Sequence, residues 1–219
     1  MGMDESEARF DIDHVEHSVG GFGGHAFRRL THVSMAAIPI LYYTRGKEIA
    51  DVFSLNPDEF VSYVFLLILI IEAIRLRFGI IIVGQREYES SQISALAWGA
   101  FAVCLALLVT GMAPFATGTG LEAGIYGIPL IFGLTFVDPL MGEIKRQKQD
   151  IRLAIAAGTA ASYAIWVGCS FWLGTPLWVC FLLAPLTVLG ELPRVKYIDD
   201  NATMILFPLS ALLLLSPFL

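Results

Sequence analysis

Charged residues are scarce in this sequence: Asp, Glu, Lys and Arg make up 16% of its 219 residues, against about 25% in an ordinary soluble domain. Basic residues are scarcer still. The 14 Lys and Arg against 20 Asp and Glu leave a formal net charge of −6, with no basic face to follow a phosphate backbone, which excludes nucleic-acid binding. Only three cysteines occur, Cys104, Cys169 and Cys180. Odd in number and set inside apolar runs, they exclude a secreted disulfide scaffold and read as packing residues. Short segments of alternating polarity are missing, so a transmembrane β-barrel is excluded too. Residues 1–26 have no basic stretch leading into an apolar core. They are acidic (Asp4, Glu5, Glu7, Asp11, Asp13, Glu16) and are not expected to act as a cleavable signal.

What the sequence has instead is apolar length. Hydrophobic residues reach 56% and the mean hydropathy is +0.69, too much for the surface of a water-soluble globule. The fold class this predicts is all-α, a polytopic transmembrane helical bundle. A span needs about 20 mainly apolar residues, and seven windows qualify: 27–44, 60–77, 92–113, 124–141, 151–173, 175–192 and 202–218. The first is the shortest apolar stretch and contains Pro39. Residues 27–219 then form a transmembrane catalytic domain, and 1–26 a polar acidic tail or surface helix.

Orientation follows from Lys and Arg. With the N-terminus inside, the inner side receives Arg9, Arg28, Arg29, Arg75, Arg77, Arg86, Lys145, Arg146, Lys148, Arg152, Arg194 and Lys196, and the outer side only Arg45 and Lys47. The expected topology is N-in and C-out. In the tail, His14, His17 and His25 have a spacing that suits one helix face, but no set of carboxylates or cysteines completes a metal site, so a solvated or membrane-surface tail is the better reading. Gly20, Gly21, Gly23 and Gly24 read as a flexible joint before the first span.

Ionisable groups inside apolar spans are costly and mark candidate sites. Four clusters stand out. Arg28-Arg29 precede His32 by three and four residues on one helix face, where a histidine can meet phosphate or move a proton, or simply be a satisfied core residue. Glu72 and Arg75 at i,i+3 can neutralise one another, as a structural ion pair or as site residues. Asp138-Pro139 closes a run with no other charge, with Gly142, Lys145 and Arg146 following. Acid for a divalent cation beside bases for phosphates is the inventory of nucleotide chemistry. Glu191, Lys196, Asp199, Asp200 and Asn201 link the last two spans. The Asp-Asp-Asn run offers hard oxygen ligands suited to Mg2+, and one member can instead cap the final helix. In the N-in topology all four clusters meet at the inner face.

This ordered set, Arg28/Arg29…His32, Glu72-x-x-Arg75, Asp138-Pro139-x-x-Gly142…Lys145/Arg146 and Glu191…Asp199-Asp200-Asn201…Pro208, resembles the CTP-dependent polyprenol kinase family, which includes dolichol kinase, phytol kinase and the CTP-dependent diacylglycerol kinase. The resemblance runs from about Arg28 to Pro208, and its most specific part is the Glu…Asp-Asp-Asn…Pro block. Val137 and Gln147 stand where the family usually carries glycine. The resemblance implies transfer of the γ-phosphate of CTP to the hydroxyl of an isoprenoid alcohol lipid by an integral membrane enzyme, with a divalent cation such as Mg2+. The active site would lie on the cytoplasmic face, of the plasma membrane if the source is prokaryotic. Carried onto this chain, Asp138, Asp199 and Asp200 would hold the metal, with Asn201 positioning it or the ribose. Arg28, Arg29, Lys145, Arg146 and Lys196 would clamp phosphates, and Glu191 would belong to the nucleotide site. His32 or Glu72 would take the hydroxyl proton, and Arg75 would pair with Glu72 or reach phosphate.

Two other readings stay open. A cytidylyltransferase making a CDP-linked lipid also uses an acidic and basic cytoplasmic motif, and would release pyrophosphate rather than CDP. A transporter using Glu72, Arg75 and Asp138 as an ion relay would be expected to carry a repeat and mid-membrane charges, neither of which the sequence displays. Small residues such as Gly99, Gly133, Ala157 and Gly158 read as close helix packing, or as a groove for a prenyl chain.

Overall fold

The computed structural model describes residues 18–116, 118–193, 195 and 197–219. Among these the chain is helical throughout, with no strand and a single isolated bridge between Ser18 and Arg86. The helices are α1 (Gly21–Ser34), α2 (Ala37–Asp51), α3 (Pro57–Phe78), α4 (Ala95–Thr110), α5 (Gly127–Phe132), α6 (Asp138–Lys148), α7 (Ile151–Leu173), α8 (Leu177–Glu191) and α9 (Asp200–Leu215). A π turn, Gly133–Val137, joins α5 to α6 into one rod. Every window predicted as a span falls on one of these helices or helix pairs. Three are long and apolar enough to cross a membrane: Gly127–Lys148, Ile151–Leu173 and Asp200–Phe218. α3 is as long, but Glu72, Arg75 and Arg77 fall in its last two turns; Leu66, Leu67, Ile70, Ile71 and Ile74 nevertheless face outward from it.

Local chemistry sets the boundaries. Asn56 caps α3 by accepting the Glu59 N–H (2.9 Å), while the Glu59 side chain accepts the Asn56 N–H (2.9 Å), a reciprocal capping box. Gly79 ends the helix in the left-handed region, at φ 63°. The expected first span is broken in two. Pro39 has no N–H to give the Met35 carbonyl and its ring crowds that carbonyl, so α1 stops at Ser34 and α2 starts at Ala37. The expected glycine joint is also corrected. Gly21, Gly23 and Gly24 are the first turn of α1, so the boundary drawn at residue 26 falls inside a helix. Gly24 is required there by close approach, since a Cβ on it would lie 2.1 Å from the Val19 carbonyl oxygen and 3.2 Å from the Gly84 nitrogen.

The core lies between the later helices, with Trp166, Ile128, Leu130, Leu183, Met204 and Ile205 fully enclosed. α8 and α9 are in close contact at Gly190, where a Cβ would lie 2.4 Å from the Thr203 carbonyl oxygen, and the Thr203 hydroxyl donates to the Gly190 carbonyl. Pro185 frees the Phe181 carbonyl within α8, and the Tyr163 hydroxyl of α7 donates to it (3.4 Å). The π turn widens the helix just before Asp138-Pro139, an adjustment that accommodates a proline inside a rod and is common at functional sites. These packings bring the start of α1, the start of α4, all of α6, the end of α8 and the start of α9 to one end of the bundle.

Candidate active site

A cavity of about 850 Å3 opens at that end. Its acidic wall is built by three helix termini. Asp138 begins α6, Glu191 ends α8 and Asp200 begins α9, and each offers one carboxylate oxygen within 4.8 Å of the others. Glu191 is 8% exposed; its Oε1 meets the Lys145 ammonium, while Oε2 is buried with no partner. An orphaned buried carboxylate oxygen beside two more carboxylates is a donor set suited to a hard divalent cation. Asp199 lines the same cavity but turns back to its own helix, accepting the Asn201 N–H (3.1 Å) as the N-cap of α9. Burial, and next the Asp200 carboxylate, push the Asp199 carboxyl up to about 8. Of the expected Asp138, Asp199 and Asp200, the structure brings Asp138 and Asp200 together with Glu191 instead of Asp199. Asp199 is committed to the cap because the first N–H groups of a helix need an acceptor.

Facing the acids are Arg28, Arg29, Arg86, Lys145 and Arg146. Arg29 donates to the Pro139 carbonyl and pairs with Glu143 at 3.2 Å. That approach uses the bare Gly142, where a Cβ would stand 3.4 Å from Arg29 Nη2. Glu143 also pairs with Arg146, so α1 and α6 are fastened by a shared carboxylate. His25 adds to this seam by accepting from Arg29 Nε (3.4 Å). Burial first, then the Arg29 and Arg146 cations, hold its imidazole below the usual value, consistent with a neutral acceptor. His32 is buried, with Nε2 3.4 Å from Asp138 Oδ2, and neither ring nitrogen makes a hydrogen bond.

Glu72 and Arg75 are not brought into the cavity. Arg75 donates to Glu72 through Nε and Nη2 (2.8 Å each), to the Ile80 and Glu89 carbonyls through Nη1 (3.0 and 2.6 Å), and to the Gln92 carbonyl through Nη2 (2.7 Å). All five guanidinium donors are thereby used, which leaves none for phosphate. Glu72 also accepts the Ser94 N–H (2.6 Å). The pair is a buried clamp that shapes the 79–94 segment: Arg75 takes the expected pairing with Glu72, and neither residue lines this cavity. Asn201 is likewise absent from this cavity: its amide donates to the Ala95 carbonyl (3.1 Å), tying α9 to α4. Lys196 lies outside the described residues, as do His14 and His17.

Sequence reasoning passed over Glu89 and Tyr88 and used Arg86 only for orientation; all three are in that clamped segment. Glu89 is 2% exposed and accepts from Arg28 Nη1 (3.3 Å), the Arg86 N–H (3.0 Å) and the Ala95 N–H at the start of α4 (3.1 Å). Arg86 donates to the Tyr88 hydroxyl and lies 5.7 Å from its ring centroid. The available signal was Arg86-x-x-Glu89, an acid–base pair in a short inner link between two apolar runs. No protein-family model, curated protein or solved structure matches this chain, so the reading of the site rests on its own residues.

Proposed function

We propose that this chain is an integral membrane phosphotransferase that moves the γ-phosphate of CTP to the hydroxyl of an isoprenoid alcohol of dolichol or phytol type, with Mg2+. The observation that carries the reading is the convergence of three carboxylates and five cations on one cavity at the end of an apolar bundle. Phosphoryl transfer asks for positioning and charge neutralisation rather than covalent chemistry, and those are the groups provided. CTP as the donor and an isoprenoid alcohol as the acceptor come from the family resemblance of the motifs.

In this reading Asp138, Glu191 and Asp200 hold the cation. A divalent cation held by these carboxylates would supply neutralisation of phosphate charge that the three alone would repel. Arg28, Arg29, Arg86 and Arg146 surround the triphosphate, and Lys145, held by Glu191, joins the acidic wall to the basic one. The alcohol oxygen attacks the γ-phosphorus, the bond from phosphorus to the bridging β–γ oxygen breaks, and CDP leaves. His32 accepts the hydroxyl proton on Nδ1, which has no partner, while Nε2 faces Asp138. Glu72 and Arg75 act at a distance, by holding the segment that carries Arg86 and Glu89. The seven apolar windows, the first of them divided between α1 and α2, are taken as spans, N-in and C-out. That topology puts the cavity on the cytoplasmic face, where nucleotide is present, and leaves Arg45 and Lys47 outside.

The test is purified protein with CTP labelled at the γ-phosphate, Mg2+ and a mixture of prenyl alcohols. Label is expected in the lipid phase, with CDP formed in equal amount. No transfer to any alcohol, with pyrophosphate released when lipid phosphates are supplied instead, would replace the kinase reading with a cytidylyltransferase.

A further inference from the structure

A second, smaller cavity of about 60 Å3 adjoins the first. The two share Arg28, His32, Glu89 and Ala95. Away from that shared edge its walls are mainly apolar: Phe27 and Met35 of α1, Ile82 and Val83 of the 79–94 segment, and Leu96 of α4, with Gly99 bare on the α4 side. Thr31, Gln85 and Asn201 are the polar members. Phe27, Ile82, Val83 and Leu96 are also exposed on the outside of the bundle. The cavity therefore runs from a charged interior edge to an apolar exterior surface.

The wall formed by residues 82–84 is fixed in place. The Val19 N–H donates to the Gln85 carbonyl (2.9 Å) and the Gly84 N–H to the Val19 carbonyl (3.0 Å). Gly84 packs so closely on α1 that a Cβ would lie 3.1 Å from the Gly24 carbonyl oxygen. From the other side Arg75 grips Ile80, Glu89 and Gln92. Glu89 accepts from Arg28 and the Arg86 N–H through Oε1 and from the Ala95 N–H through Oε2, so it shapes the edge between the cavities.

His32 is different. It is 8% exposed and lines both cavities; Nε2 faces Asp138 Oδ2 at 3.4 Å without forming a hydrogen bond, and Nδ1 has no partner. Buried imidazole nitrogens are normally paired, so an unpaired one at the junction of an apolar and a charged cavity calls for a small polar group carried on an apolar body. We propose that the small cavity seats the hydroxyl-bearing end of the acceptor. Its first carbons lie among Met35, Val83 and Leu96, the rest of the chain leaves past Phe27 into the lipid, and the hydroxyl hydrogen points to His32. The identification of that ligand as the acceptor rests on the kinase reading above.

The geometry sets a specificity. A space of this volume takes a hydroxymethyl group and a few carbons of a slim chain, so primary alcohols on linear or methyl-branched chains fit and a fused-ring sterol alcohol does not. In transfer, the alcohol O–H breaks as the new O–P bond forms, the proton moves to His32, and the electron pair of the broken β–γ bridge leaves with CDP. The reactants and products balance with no further co-reactant.

Two measurements test the site. The first uses the wild-type chain in lipid nanodiscs and a primary prenyl alcohol carrying a photoreactive diazirine beside the hydroxyl. Adducts are expected on Phe27, Thr31, Met35 or Leu96, competed by unlabelled prenyl alcohol and not by cholesterol. Adducts confined to α3, α7 or α8, or competition by cholesterol equal to that by prenyl alcohol, would overturn the site. Because labelling reads occupancy without turnover, absence of phosphoryl transfer in the wild type sinks the kinase reading alone.

The second compares Gly99→Ala with Gly99→Leu. A Cβ on Gly99 meets Asn201 Cβ at 3.6 Å, an ordinary contact, so alanine is tolerated, whereas leucine fills the cavity. The expected result for Gly99→Leu is a rise of about tenfold in KM for the alcohol, the scale of small steric changes in an apolar pocket, with KM for CTP unchanged. Equal rises for both substrates, or for neither, would count against the assignment, and the labelling decides the matter if the leucine variant does not fold.

Discussion

At the end of the bundle away from the cavity, Arg45 pairs with Glu48 at 2.8 Å, with side chains 63% and 66% exposed, and Tyr42 donates to Asp58 at an exposed site (2.9 Å). At the cavity end Glu72, Arg75, Glu89, Glu191 and His32 are all buried, and a single arginine, Arg75, binds one carboxylate and three carbonyls. The first kind of pair costs little to form and contributes little, because water solvates each partner nearly as well alone. The second kind is expensive to bury and persists only where geometry satisfies every donor. A chain this poor in charge that concentrates its buried charge at one end marks that end as its candidate site. Changes at the two ends should differ by orders of magnitude.

The largest effect is expected from the converging carboxylates. Asp138→Asn and Asp200→Asn each keep the shape and remove a ligand charge, and γ-phosphate transfer from CTP should fall by about 10³-fold, the scale of losing one electrostatic stabiliser in a water-poor site. Mg2+ should raise the unfolding temperature of the wild type and not of either variant, because only a folded state with the full ligand set gains from binding. Near-wild-type turnover in both variants would remove the metal assignment.

Next comes the clamp. Glu72→Ala leaves the Arg75 guanidinium buried without its carboxylate and strips the Ser94 N–H of its acceptor. A loss of about 3 kcal/mol in unfolding free energy is expected for a buried pair broken on one side, measured by denaturant titration in detergent. Replacing both residues by apolar ones of similar volume should cost less than the single change. A single variant as stable as wild type would mean that the 79–94 segment is held by something other than this pair.

Gly190→Ala is smaller and probes the same end through packing. The added Cβ meets backbone atoms of Thr203 and Met204 at 2.4–2.7 Å, which cannot rotate away, so α8 and α9 must part. Overpacking of this kind costs about 1–3 kcal/mol. The two helices carry Glu191 and Asp200, so activity should fall along with stability, while Gly142→Ala, whose Cβ meets only the flexible end of Arg29 at 3.4 Å, leaves both nearly intact.

How much of this was legible beforehand follows from what each feature depends on. The helical rods were readable because an apolar run of span length is itself the cause of the helix. The candidate clusters were readable because an acid such as Asp138 inside such a run is costly enough to need a reason. Which acids converge was not. Asp199 and Glu191 are both carboxylates near the last link, and only the fold turns one to cap α9 and the other toward Asp138. Glu89 escaped notice because an acid in a polar link costs nothing until Arg75 and Val19 fold that link inward. The Gly20–Gly24 run misled for a related reason: glycine signals either freedom or close contact, and the contact partner, Gly84, is sixty residues away in sequence.

The smallest expected effect completes the contrast. Arg45→Ala removes an i,i+3 pair whose two side chains are mostly in solvent, and measured pairs of this type contribute about 0.2–1 kcal/mol. Stability should change by less than about 0.5 kcal/mol, and KM for CTP and for the alcohol should stay at wild-type values, since no other contact ties Arg45 to the cavity among the described residues. The change does remove one of only two basic residues on the side read as external. A cysteine introduced at Lys47 in the same background should therefore still react with an impermeant thiol reagent applied from outside the cell, and reaction only after permeabilisation would invert the topology and take the cytoplasmic assignment of the cavity with it.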